Sequence, residues 1–295
     1  MLQVIISPAK QMQVARDGFA PRGIPPLSEK TAHVMDALRT IEREQGSEGL
    51  QALWGVNDKL LAENLERLHS YRDIADANFL GDAELSRLVS PAIFSYVGIQ
   101  FRSMAPDVLD AAALEWLQGH LWVLSALYGC VRPFDAVQPY RLEMGAKLSV
   151  DGEKNLYAFW GDSIARAVCA ELDARPDDVV EIVNLASVEY SKAVLPHRPD
   201  GTREVTCIFG EGLRNGRPVQ RSTASKIARG SMVRWMAERG VHRAEELKHF
   251  DVGYTFDPGL SQGDAKRQTL VFMRGEARQL VCRRNMREGA SRPPT

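Results

Sequence analysis

Short apolar runs alternate along this chain with longer segments whose apolar positions recur every three or four residues, the pattern of strands interleaved with amphipathic helices. Leu2 to Ile6 is a β-rich run that ends at Ser7-Pro8-Ala9-Lys10. A Pro/Gly loop from Pro21 to Pro26 precedes a helix that Ser28 can cap, with Val34, Leu38 and Ile41 at helical spacing. Asn57 is placed to cap a second helix carrying Leu60, Leu61, Leu65 and Leu68. Ala92 to Val97 reads as a strand closed by Gly98, and Pro106 opens an amphipathic helix through Leu109, Ala113, Trp116 and Leu117. The apolar run Leu121 to Leu127 suits a buried strand, although pattern alone does not separate it from a helix.

A turn signal follows at Tyr128-Gly129-Cys130-Val131-Arg132-Pro133. Leu156 to Leu172 predicts a helix with Phe159, Trp160, Ile164 and Val168 on one side, and Val179 to Leu185 a strand. Val205 to Phe209 and Pro218-Val219-Gln220 predict two strands joined at Asn215-Gly216. Thr223 to Arg239 is a second strong helix, and Gln268 to Met273 a last strand. Strands alternating with helices give an α/β class, one domain over residues 1–274 with a mixed sheet flanked by helices. Residues 275–295, rich in Arg and ending Arg292-Pro293-Pro294-Thr295, are expected to be a disordered basic tail.

Composition narrows the function classes. At 44% hydrophobic and 25% charged residues the 295-residue chain is an ordinary globular protein, large enough for a substantial core. No apolar run approaches the roughly 20 residues that span a bilayer, so no membrane association is expected. The N-terminus lacks a basic stretch and meets Ser7-Pro8 too soon for a signal peptide, which predicts a cytosolic protein. Cys130, Cys169, Cys207 and Cys282 are far apart, and no His-Glu-x-x-His occurs among the six histidines. Metal centres usually bring ligands in close pairs, so neither a metal nor a cofactor is expected. Gly210-Glu211-Gly212-Leu213-Arg214-Asn215-Gly216 resembles a dinucleotide loop only superficially, because its spacing is wrong and it leads into Arg217-Pro218 rather than a helix.

Net charge is −1, yet Glu276 to Thr295 holds five arginines against two glutamates, +3, which leaves −4 for the rest. Anion binding must therefore be local, and four segments are candidates. Lys10 follows a strand that Pro8 terminates, where α/β proteins place their sites; a solvated loop lysine is the plainer alternative. The loop from Leu127 to Gly145 holds Arg132, Tyr140 and Arg141. A guanidinium matches phosphate oxygens, a tyrosine offers a flat face, and the glycine turn suggests a helix-hairpin-helix contact with DNA backbone. Pairing of Arg141 or Glu143 elsewhere in the fold is the competing reading. Asn184-Leu185-Ala186-Ser187 runs into a helix whose first turns hold Tyr190 and Lys192; ordinary capping by Ser187 explains it equally well. In the fourth, seven basic residues from Arg217 to Arg243 face only Glu238, and Lys226, Arg229 and Gly230 share one face of a helix. Ala228, Met232, Trp235 and Met236 form its core face.

Together these segments resemble the YaaA family from Met1 to about Arg274. The resemblance is carried by Ile6-Ser7-Pro8-Ala9-Lys10, Tyr128-Gly129 with Arg132-Pro133, Gln138-Pro139-Tyr140-Arg141-Leu142-Glu143-Met144, Phe159-Trp160-Gly161-Asp162, Asn184-Leu185-Ala186-Ser187 with Glu189-Tyr190, and Lys226 with Ala228-Arg229-Gly230. Some members carry an ionisable residue just before the glycine of the Gly98 segment, where this chain has Val97. The resemblance implies a cytosolic peroxide-stress protein that limits iron-driven damage to DNA and protein. It also implies binding of duplex or branched DNA, with little sequence preference, through a basic cleft on an unusual α/β fold. Carried over residue by residue, the cleft comprises Lys10, Arg132, Arg141, Lys192, Lys226 and Arg229, with Tyr140 beside them. An enzyme acting on a nucleotide or phosphorylated small molecule is the alternative, with Lys10, Lys226, Tyr140, Glu143 and Asp162 as acid/base candidates.

Overall fold

Two runs of five consecutive buried residues, Leu2–Ile6 (β1) and Leu121–Ser125 (β2), have no polar face and so need cover on both sides, the mark of interior parallel strands. They pair in parallel with Val4 opposite Leu121. The computed structural model describes residues 1–16, 19–74, 82–170 and 179–275. Five more strands complete one sheet: Gly129–Val131 (β3), Glu181–Leu185 (β4), Arg203–Gly210 (β5), Tyr254–Gly263 (β6) and Arg267–Arg274 (β7). Their order is β6-β7-β5-β4-β1-β2-β3, with β3 and β6 antiparallel to their neighbours and the remaining pairs parallel. The sheet is therefore mixed, and a core cluster reaching from Leu2 to Phe272 unites it as a single domain.

Helices Ser28–Trp54 (α1), Asp58–Ser70 (α2), Ile99–Met104 (α3), Ala111–His120 (α4), Leu156–Trp160 (α5), Ser163–Cys169 (α6) and Ser222–Arg239 (α7) pack around the strands. The chain fills β1, β2 and β3 on one side of β1, then crosses to β4 on the other. That reversal opens a crevice at the carboxyl ends of β1 and β4, where open α/β sheets bind their ligands.

Several expected elements differ in form. Ser28 is the first residue of α1 rather than its cap, whereas Asn57 does cap α2, accepting the Leu60 N–H at 3.0 Å. Ala92–Ser95 is a helical turn, held by the Ser95 hydroxyl donating to the Pro91 carbonyl at 3.0 Å; only Tyr96–Val97 is extended. Pro106 opens a short 3-10 turn, and α4 begins afterwards under Asp110, whose carboxylate accepts from the Ala113 N–H at 2.8 Å. Gly161, at φ 50°, splits the expected helix from Leu156 into α5 and α6, and its far end at Leu172 lies outside the described residues. The Asn215-Gly216 turn closes a hairpin of Leu213–Arg214 with Arg217–Pro218, both turn residues at positive φ. Strand β6 escapes a sequence reading because Asp257-Pro258-Gly259 interrupts it; an edge strand tolerates Pro at the register shift found there.

The helix-hairpin-helix expected around Leu127 to Pro133 is a β-hairpin instead. Gly129 takes φ 70° in the turn, Leu124 pairs with Cys130, and Leu127 through Val131 are buried. A segment so enclosed exposes no amide N–H groups to a nucleic-acid backbone. The Arg-rich tail from residue 276 lies outside the described residues.

Candidate anion-binding crevice

Ile6 is the last paired residue of β1, and the chain turns out through Ser7-Pro8 because Pro8 has no N–H for the ladder. The Ser7 hydroxyl accepts the Ser187 N–H at 2.8 Å and lies 3.2 Å from the Ser187 hydroxyl, tying the ends of β1 and β4 together. Ser187 thus spends its side chain on Ser7 and makes no capping bond to the helical turn Val188–Ser191. Beyond Lys10, Gln11–Met12 pairs antiparallel with Tyr96–Val97, which sets Gly98 and α3 against the strand ends. A Cβ on Gly98 would stand 3.0 Å from the Ala9 Cβ.

Helix α7 closes the far wall. Its core face comprises Ala228, Met232, Trp235 and Met236, all buried as expected. Gly230 lies against α3 so closely that a Cβ there would stand 2.1 Å from the Gln100 carbonyl oxygen. This contact brings Lys226 and Arg229, one helical turn apart, to the crevice.

The resulting cavity, about 540 Å³, gathers Lys10, Tyr140, Arg141, Lys226 and Arg229 from three separate stretches of sequence. Arg102 joins them, so five cationic side chains face two carboxylates, Glu143 and Glu189, an excess of three positive charges. Their partners differ. Lys10 and Arg141 share one oxygen of Glu143, at 2.7 and 2.9 Å, and Arg141 also reaches the Lys10 carbonyl at 3.3 Å. Glu189 accepts the Gly145 N–H at 3.0 Å. Among the described residues Lys226 and Arg229 have no ion pair, and the Nε of Arg229 is buried without a hydrogen-bond partner. Desolvation lowers the proton affinity of Arg229, offset in part by Cys207 beside it.

Tyr140 lines the cavity but is nearly enclosed. Its hydroxyl bonds Ser125 at 2.7 Å and Tyr96 at 3.3 Å, and burial raises its pKa, so it serves as a neutral anchor rather than an open face for a base. Arg132 and Lys192 do not line the crevice. Arg132 lies at the opposite end of the sheet, over the Trp122 ring at 3.8 Å and donating to the Gln3 side chain and the Gly119 carbonyl. Lys192, exposed, ends the helical turn Val188–Ser191. Asp162 bonds Arg166 at 2.7 Å, and neither residue lines the cavity. Sequence reasoning misses Gln100 and Arg102; the available signal is Gly98, an extended residue from which α3 starts.

An α/β protein with a cationic crevice at the carboxyl ends of its parallel strands is the class that fold and site define. The family described as peroxide stress protein YaaA matches residues 2–260. The chain is 37% identical to a UPF0246 protein of Lachnoclostridium phytofermentans over 277 residues, 94% of this chain and 98% of that one. It is 38% identical to a UPF0246 protein of Pediococcus pentosaceus over 276 residues, 93% and 99% of the two chains. This chain belongs to the peroxide stress protein YaaA family, and that membership supports a role in peroxide stress.

Proposed function

We propose that this protein serves the cytoplasmic response to peroxide by binding DNA at the strand-end crevice, and so limits iron-driven oxidative damage to DNA and protein. The observation that carries the DNA reading is Arg229, a largely desolvated guanidinium facing the crevice without a counter-charge among the described residues. Arg229 is half-buried with its Nε enclosed, so it bears part of the cost of an unpaired buried charge, and a phosphate oxygen would relieve it. Lys226 adds a second free cation one turn away. Contacts of this kind read the phosphate backbone and give little preference for sequence.

Thiol chemistry does not supply the peroxide role at the described cysteines. Cys130, Cys169 and Cys207 are buried, and burial pushes Cys169 up to about 11 and Cys207 up to about 12, so the reactive thiolate is scarce. Among the described residues no group of three or more His, Cys, Asp or Glu is arranged to hold a metal ion. No helix among the described residues is long and apolar enough to cross a membrane.

The rival, an enzyme acting on a phosphorylated small molecule, has fewer free groups than its sequence suggests. Asp162 is outside the crevice, Tyr140 is tied to Ser125, and Glu143 is shared by two cations. The deciding experiment is a titration of the full chain against duplex, four-way junction and unrelated-sequence DNA over a salt series. Binding that weakens steeply with salt and hardly changes with sequence is expected. Salt-independent binding, or none at low salt, contradicts the proposal.

A further inference from the structure

We propose that the crevice takes one nucleotide unit, a nucleoside 5′-phosphate either free or presented by a strand end or an extruded residue, rather than the flank of a duplex. The inference rests on the phosphate-binding reading above and names its ligand. Three observations lead to it. The first is shape. The cationic side chains line a recess of about 540 Å³, within the range of roughly 300–1,000 Å³ in which proteins enclose small ligands. The side of a duplex presents its phosphates in rows and is met by cations spread over an open face. A recess concentrates them on one group.

The second is charge. Five cations against two carboxylates leave three positive charges inside one small volume, which suits the dianion of a phosphate monoester better than a single diester link. Arg102, Lys226 and Arg229 are the members that have no ion pair among the described residues. The third is the remainder of the lining. Val97, Ile99, Phe101 and Leu142 give an apolar wall, and between it and the strand ends lies Gln100. Its side chain is buried, yet its amide reaches only the Ser7 carbonyl, at a long 3.4 Å. A buried amide with spare donor and acceptor capacity, beside the hydroxyls of Ser7 and Ser187, is equipped to bond a sugar or a base edge. Phosphate alone would use none of this wall. The crevice also lies at the reversal of strand order, where open α/β sheets receive nucleotides.

The test is calorimetric titration of the full chain with 5′-dAMP, inorganic phosphate and deoxyadenosine, followed by competition against labelled DNA. Binding of one dAMP per chain is expected, about tenfold or more tighter than either phosphate or deoxyadenosine alone. Lys226→Gln, at an exposed position, and Arg229→Gln should each weaken dAMP about tenfold, while Lys192→Gln, away from the crevice, should match the parent chain. Thermal melting of each variant separates loss of binding from loss of fold. For the source of the nucleotide, linear duplex with 5′-phosphates and duplex with a single-residue bulge should outcompete a covalently closed circle, and dAMP should displace them. If dAMP binds no tighter than phosphate, and closed and linear DNA bind alike without displacement by dAMP, the nucleotide inference is overturned and the DNA proposal stands. If dAMP binds as expected but no DNA does, the inference holds and the DNA proposal falls. Absence of binding by every ligand overturns both.

Discussion

Arg229 and Arg132 stand at opposite ends of the same sheet, and each looks from its neighbours in sequence like a phosphate ligand. Arg132 finds partners within the fold, among them the face of Trp122, the Gln3 side chain and the Gly119 carbonyl. Arg229 finds a cavity, a neighbouring thiol, and no acceptor for its buried Nε. Lys10 and Arg141 fall between, each half-neutralised through the one carboxylate of Glu143. On the proposed reading, what separates a binding cation from a structural one is not residue type but whether the fold has already supplied its partner. A satisfied guanidinium stabilises the protein; an unsatisfied one costs stability until an anion arrives.

The largest effect expected from that contrast is on binding. Charge reversal at both Lys226 and Arg229, to glutamate, should weaken DNA by about 100-fold or more, since charge-assisted hydrogen bonds are worth about 1.5–3 kcal/mol each. Melting should show the fold retained, because neither side chain makes an ion pair or side-chain hydrogen bond among the described residues that its loss would break, and the new carboxylates would face Arg102 and Arg141 in the same cavity. A fluorescence-anisotropy titration that finds unchanged affinity would remove α7 from the site.

The next effect belongs to the other end of the sheet. Asp135 is buried beside Arg132, accepting its backbone N–H at 2.8 Å, and burial lifts its pKa to about 7 from 3.8. A carboxyl whose folded pKa is raised favours the folded state fully below its unfolded pKa, and this contribution is lost as pH rises through about 7. Stability should therefore fall between about pH 4 and pH 7, by at most about 4 kcal/mol at 1.36 kcal/mol per unit. Urea unfolding of Asp135→Asn should show that segment of the pH profile flattened; an unaltered profile would mean the group is ionised throughout.

Smaller again is Gly230→Ala. Its methyl would meet the Gln100 carbonyl at 2.1 Å, so α7 and α3 must separate, at a cost of about 1–3 kcal/mol. Because that contact places Lys226 and Arg229, weaker DNA binding should accompany the lower melting temperature. Least is Arg132→Gln, expected to lose about 1–2 kcal/mol of stability through the ring and hydrogen-bond contacts while leaving DNA affinity intact. A binding loss without a stability loss would reverse the assignments of the two ends.

Much of this was legible along the chain. Proline after β1 marks where Lys10 leaves the sheet, and the helical spacing of Lys226 and Arg229 places them on one face, away from Met232 and Met236. Arg132 is misplaced for a physical reason that a better hairpin reading would have removed. Val123 pairs with Val131, so the next residues along, Trp122 and Arg132, are cross-strand neighbours, and the ring is the partner. Gln100 and Arg102 stay hidden because a strand closed by Gly98 suggests a stop, whereas the fold starts a helix there. The sharing of Glu143 by Lys10 and Arg141 depends on a loop conformation that local spacing does not encode.

The contrast between the two guanidiniums is tested most directly by the slope of DNA affinity against salt for the parent chain, the double variant Lys226→Gln/Arg229→Gln, and Arg132→Gln. Each phosphate neutralised contributes about −0.9 to the slope of log affinity on log salt for duplex DNA. Because Lys226 and Arg229 converge on one phosphate in the crevice, the double variant should be shallower than the parent by about 0.9, with the Arg132 variant superimposed on the parent. Equal slopes for all three proteins, or a slope changed only by Arg132→Gln, would contradict it.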